Sequence, residues 1–145
     1  MMARARADTP ALPAEVFVDT SAFYAGLNSA DRNHGPVAEV LDALLSAGAT
    51  LVTTSFVLIE TISLLQARAG LQAAREFALG MVPALDVAWV EEDLCARGIE
   101  GWVGGARRDL SLVDCVSFAL MRELRLEHAL TLDRHFAEQG FTVIP

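Results

Sequence analysis

Residues 16–23 read VFVDTSAF and residues 130–136 read LTLDRHF, and both stretches have the same construction: a short apolar run, an acid, then a helix start. Val16-Phe17-Val18 has the β-branched and aromatic composition of a strand, and Asp19 ends it. Thr20 or Ser21 then caps a helix toward Leu27. Outward from there, Val37, Val40, Leu41, Leu44 and Leu45 keep helical spacing over 36–47 until Gly48, with Pro36 suited to the helix start. A strand is predicted at 50–53, followed by a helix over 55–69 that ends at Gly70 and a shorter helix over 71–81. A strand at 84–90, helices at 91–103 and 113–126, a strand at 129–131, a helical turn or two at 133–138 and a last strand at 141–144 complete the pattern. Short strands alternating with helices predict an α/β domain with a mostly parallel sheet. In such sheets, sites form outside the carboxyl ends of the strands, where Asp19 and Asp133 fall.

The chain has 145 residues, enough for one domain with a sizeable core, and its 53% hydrophobic content argues against disorder. We expect residues 1–14, rich in Ala and Pro, to be a mobile leader ahead of a single domain over 15–145. Arg4 and Arg6 are followed by no apolar stretch of the kind a secretory signal needs. No apolar run reaches the roughly 18–20 residues of a membrane span. Cys95 and Cys115 show no paired spacing and read as reduced thiols, which makes the cytoplasm the expected compartment. The net charge of −8 opposes broad nucleic-acid affinity, although acids that gather divalent cations would account for part of it. Every basic residue is arginine.

Four carboxylates stand out. Asp19, Asp114 and Asp133 lie at helix starts, and each also reads as a cap: Asp19 at the N-cap, Asp114 in the box Ser111-Leu112-Val113-Asp114, Asp133 before a short helix. Glu60 has Phe56, Val57 and Leu64 at helical spacing, which predicts a carboxylate on an apolar face; the alternative is a buried ion pair. Together the four supply hard oxygen ligands suited to Mg²⁺ or Mn²⁺. His34, His128 and His135 show no metal-ligand spacing and read as loop or surface residues.

These residues resemble the PIN domain family, and within it the VapC-type toxins of toxin–antitoxin pairs. The likeness runs from VFVDTSAF through TSFVLIE and SLVDCVSFALM to LTLDRHFAEQGFTVIP, nearly the whole chain. It implies a three-layer α/β/α sandwich around a central, mostly parallel sheet. It also implies catalytic and metal-holding roles for Asp19, Glu60, Asp114 and Asp133, with Ser21 and Thr131 as supports. Asp31 falls in a loop that varies in the family. The implied activity is Mg²⁺- or Mn²⁺-dependent hydrolysis of RNA, by a homodimer held in check by a small antitoxin. Arg32, Arg107, Arg108 and Arg134 are RNA-binding candidates by their nearness to the motif loops; surface charge is the alternative for each. Trp102 and Phe23 could stack bases, though core packing accounts for them more simply.

Other classes fit less well. A HAD-like phosphatase needs a second Asp two residues after the first, where this chain has Ser21, and it needs a lysine. A receiver domain and a P-loop fail on the same missing lysine. A PIN nuclease of RNA maturation or decay stays open, as does a non-catalytic module binding a partner through a groove of Leu41, Leu44, Leu45, Ile62 and Leu65.

Overall fold

The computed structural model describes residues 11–105 and 109–145. Five parallel strands form one sheet in the order β3-β2-β1-β4-β5: β1 Glu15–Val18, β2 Thr50–Thr54, β3 Leu85–Ala88, β4 His128–Leu130 and β5 Thr142–Ile144. The central strand is the one that opened the sequence. Val16, Phe17 and Val18 are buried, as the middle of a parallel sheet covered on both faces requires. The edge strands β3 and β5 are only partly covered.

Helices α1 (Thr20–Leu27) and α2 (His34–Ser46) connect β1 to β2, and α3 (Ser55–Arg68) and α4 (Leu71–Glu76) connect β2 to β3. The chain then passes back over β2 and β1 through α5 (Glu92–Gly105) and α6 (Leu112–Glu123) to reach β4, and α7 (His135–Glu138) leads to β5. Because crossovers between parallel strands are right-handed, the reversal of direction after β3 puts α1–α4 on one face and α5–α7 on the other. The result is the three-layer α/β/α arrangement. The reversal also leaves a switch point between β1 and β4, where the loops after those two strands part.

Helix ends follow local chemistry. Gly48 (φ 74°) and Gly70 (φ 101°) take left-handed backbone where α2 and α3 stop. Thr54 Oγ1 accepts the Val57 N–H at 3.1 Å, so α3 starts directly from β2. The predicted helix over 71–81 ends earlier as an α-helix: after Glu76 it widens into a π-turn, Phe77–Met81, whose Phe77 is buried edge-on against Phe23, 5.0 Å between ring centroids.

Aromatic packing sets the height of the β4 side. Phe136 of α7 stacks on Phe17 of β1 at 6.0 Å and meets Phe118 of α6 edge-on at 4.9 Å. A single buried ring therefore seats α6 and α7 on the central strand. On the same layer α5 presses close to α6, because a Cβ on Gly98 would come within 2.3 Å of Val116 Cγ2 and 3.1 Å of the Val116 Cα.

The groove expected for a partner does not form. Leu41, Leu44 and Leu65 are buried in the core, leaving Leu45 exposed and Ile62 partly covered. Helical spacing cannot tell a core face from a docking face, and here the core took it. Phe23 is likewise fully buried, while Trp102 is exposed.

Candidate metal centre

The candidate site is built at the carboxyl ends of β1 and β4. Asp19 precedes the first turn of α1, yet its side chain makes no capping hydrogen bond. It turns to two hydroxyls instead. Ser21 Oγ donates to Asp19 Oδ2 at 2.9 Å and Thr131 Oγ1 donates to the same oxygen at 3.0 Å. The hydroxyls in turn accept backbone N–H groups, Ser21 from Leu132 at 3.0 Å and Thr131 from Asp133 at 2.9 Å. A hydroxyl carries one proton, so the 3.2 Å approach of Ser21 to Thr131 is a contact between two groups already directed at Asp19. Behind it, Asp19 N–H donates to the Leu130 carbonyl at 3.1 Å, and Thr53 Oγ1 donates to the Val18 carbonyl at 2.9 Å. The loops after β1 and β4 are thus tied through one carboxylate oxygen. Asp19 is 4% exposed. Burial pushes its pKa up to about 6; the two hydroxyls pull the other way and the charge of Asp114 adds to the rise.

Asp114 enters at the start of α6. The capping box is formed: Asp114 N–H donates to Ser111 Oγ at 3.0 Å and Ser111 N–H donates to Asp114 Oδ2 at 3.1 Å. The cap fixes the carboxylate without removing it from the cluster. Partial burial raises its pKa, opposed by the Ser111 hydrogen bonds and helped by the charge of Asp133. Asp133 Oδ1 accepts the His135 N–H at 2.9 Å, a local turn that begins α7.

His135 departs from the sequence expectation. It is 7% exposed, and Phe136 beside it explains why: seating that ring on the sheet draws the one-turn helix down and takes the imidazole with it. Nε2 lies 2.9 Å from Asp109 Oδ2, and this hydrogen bond is the main cause of a raised histidine pKa, with Asp133 adding to it. Nδ1 lies 2.6 Å from Asp133 Oδ1 but out of line for a hydrogen bond. One ligand atom each from Asp114, Asp133 and His135 falls within 4.8 Å of the others. Asp114, repelled by both Asp19 and Asp133, shares with Asp133 a buried ring nitrogen that makes no hydrogen bond among the described residues, a donor set that fits a divalent cation.

Glu60 is not the buried carboxylate that its spacing predicts. The covered face of α3 is Val57, Leu58, Thr61 and Leu65; Phe56 and Leu64 are only partly buried, and Glu60 beside them is exposed. It stands six residues past the carboxyl end of β2, the strand next to β1, without a hydrogen bond or ion pair among the described residues. Asp31 accepts the Asn33 N–H at 2.8 Å in the loop after α1, where Arg32 is exposed. Arg134 reaches Asp109 at 3.5 Å and Glu138 at 3.7 Å. Arg107 and Arg108 lie outside the described residues, as does most of the expected leader. Sequence reasoning missed His135 and Asp109. A histidine two residues after a site acid, followed by a phenylalanine that must be buried, was the available signal.

Comparison with known proteins identifies the class. The family model of the PIN domain matches residues 16–141, and the chain belongs to this family. The more particular likeness is to the "23S rRNA-specific endonuclease VapC20" of Mycobacterium tuberculosis, 34% identical over 131 residues, 89% of this chain and 97% of that protein. The crystal structure of M. tuberculosis VapC20, described as a "Sarcin-Ricin loop cleaving toxin", superposes with a TM-score of 0.78 at 33% identity, covering 90% of this chain and 99% of the other. VapBC2 of Rickettsia felis, bound to a promoter DNA fragment, has a TM-score of 0.65 at 11% identity, covering 89% and 96% of the two chains. FitAcB of Neisseria gonorrhoeae has 0.65 at 13%, covering 90% and 96%. The last two share the fold. The chain is a homologue of the VapC-type ribonucleases.

Proposed function

We propose that this chain is a metal-dependent endoribonuclease, the toxin of a toxin–antitoxin pair. The observation that carries the reading is the tying of Asp19 to Thr131 across the switch point, with Asp114 and Asp133 gathered beside it. Asp19, Asp114 and Asp133 would hold Mg²⁺ or Mn²⁺, with Glu60 approaching from α3. When bound, the cation would lower the pKa of a water and stabilise charge developing on the phosphate.

The chain's own residues do the rest. Ser21 and Thr131 hold Asp19 Oδ2, so the carboxylate keeps one orientation as the site ionises. The capping box does the same for Asp114. The acids alone would repel a polyanion, so RNA should enter only with the metal. Arg134 is an exposed cation on the loop after β4 and Arg32 one on the loop after α1, and both are proposed phosphate contacts.

Ribosomal RNA is the first substrate to test, since the relative alike over almost its whole length is named for 23S rRNA. Incubation of the protein with ribosomes or total RNA plus Mn²⁺ or Mg²⁺, followed by mapping of the new ends, should give discrete cuts bearing 5′-phosphates. Cleavage that persists in EDTA, or in Asp19→Asn, would sink the proposal. A small antitoxin that blocks the site and a homodimer are the proposed partners. Light scattering alone and after mixing with the product of a neighbouring small gene tests both.

A further inference from the structure

We propose that His135 is a nitrogen ligand of the metal centre, its Nδ1 joining oxygens of Asp114 and Asp133 around the cation while Asp109 orients the ring through Nε2. The inference rests on the metal-dependent reading above and extends it to a residue outside the four acids.

The imidazole is more than nine-tenths buried, so water does not satisfy Nδ1, and no described residue hydrogen-bonds to it. A buried ring nitrogen without a partner points to an absent one. The other nitrogen is committed: Nε2 faces the Asp109 carboxylate at 2.9 Å. An ionised carboxylate only accepts, so this bond keeps a proton on Nε2 and makes Nδ1 the nitrogen that can exchange its proton for a cation. Nδ1 sits 2.6 Å from Asp133 Oδ1 without the alignment of a hydrogen bond. So close an approach calls for a positive charge between the two atoms, which a proton supplies in the metal-free protein and a shared cation would supply in its place. A metal-binding histidine usually gives its other ring N–H to a carboxylate that fixes the ring's orientation, as Asp109 would here.

A nitrogen among the oxygens has a consequence for metal choice. Mg²⁺ favours oxygen ligands, whereas Mn²⁺ accepts imidazole more readily. The site should therefore prefer Mn²⁺ beyond what carboxylates alone give. His34 and His128 supply the contrast. His34 Nδ1 is occupied by the Ala25 carbonyl at 2.9 Å, and His128 begins β4 at the other end of the sheet.

The test is pulsed electron paramagnetic resonance of the full chain loaded with Mn²⁺. Nitrogen modulation of an imidazole should be present in the wild type and in His128→Gln, and absent in His135→Gln. That variant should still bind Mn²⁺, about tenfold more weakly, with a smaller loss for Mg²⁺. Should His135→Gln fail to fold, the double variant His34→Gln/His128→Gln grown with ¹⁵N-histidine reads the same nitrogen, because its modulation must change with the isotope. Mn²⁺ bound without nitrogen modulation overturns the inference and leaves the carboxylate centre standing. No Mn²⁺ binding at all overturns both.

Discussion

The two sides of the candidate site are built to different tolerances. On the β1–β4 side every group is held before any ligand arrives: Asp19 by two hydroxyls, Asp114 by a capping box, Asp133 by the turn into α7, and His135 by Asp109. On the β2 side, Glu60 projects from an exposed position on α3 with no such restraint among the described residues. The difference teaches where the cost of the site lies. The held side keeps a carboxylate out of water with other carboxylates nearby, which burdens the metal-free fold. The open side costs the fold almost nothing and can only matter when something binds.

Asp19→Asn should break the comparison most completely. We expect a loss of RNA cleavage of about a thousandfold or more, together with a more stable metal-free protein. The sign follows from the raised pKa. Folded Asp19 titrates near 6 against 3.8 for the free group, so the native state binds more protons between those values. Stability of the metal-free wild type is therefore highest below the lower value and declines as pH rises through about 4 to 6, by up to about 3 kcal/mol. Asparagine removes that decline. Urea titrations in EDTA at pH 4.5 and 8 check it; a wild type more stable at pH 8 than at 4.5 by the Asp19 contribution, or an Asn variant that is not stabilised at pH 8, would contradict the account. The same titration makes Mn²⁺ affinity fall about tenfold per pH unit below 6, which calorimetry reads directly.

Phe136→Ala tests whether the held side is held from beneath. Removing the ring that joins Phe17, Phe118 and α7 should cost about 3–5 kcal/mol in urea melts and weaken Mn²⁺ binding in the surviving folded protein. A smaller step is Ser21→Ala, which removes one of two hydroxyls that stabilise ionised Asp19. A loss of about 0.5–1.5 kcal/mol at pH 8, and a further rise in the Asp19 pKa by carboxyl NMR, are expected. Glu60→Gln gives the smallest stability effect, within about 0.5 kcal/mol, yet it should reduce cleavage. Unchanged cleavage would remove Glu60 from the site and leave the held side to act alone.

Much of this was legible in the chain. The runs VFVD and LTLD announced strand ends carrying acids, and the switch-point rule placed them where the structure has them. The cap readings of Asp114 and Asp133 and the site readings were not rivals. A capping box ties up one oxygen of a carboxylate and leaves the group in the cluster. Glu60 was misread because α3 carries apolar residues around much of its circumference, so spacing alone could not say which arc the sheet would cover. His135 was misread for the opposite reason: a lone histidine has no period, and only the burial of Phe136 drags it inward.

By itself the sequence determined the alternation of strands and helices, the ends at Gly48 and Gly70, and the acids that stand at the ends of β1 and β4, because these depend on backbone preference and apolar period within a few residues. Tertiary structure alone decided that Ser21 and Thr131, 110 positions apart, would meet over Asp19. It also decided that Asp19 would titrate near 6, and that His135 would lie between Asp109 and Asp133. Those outcomes arise from desolvation and from contacts between distant segments, quantities that do not exist until β1 and β4 lie side by side.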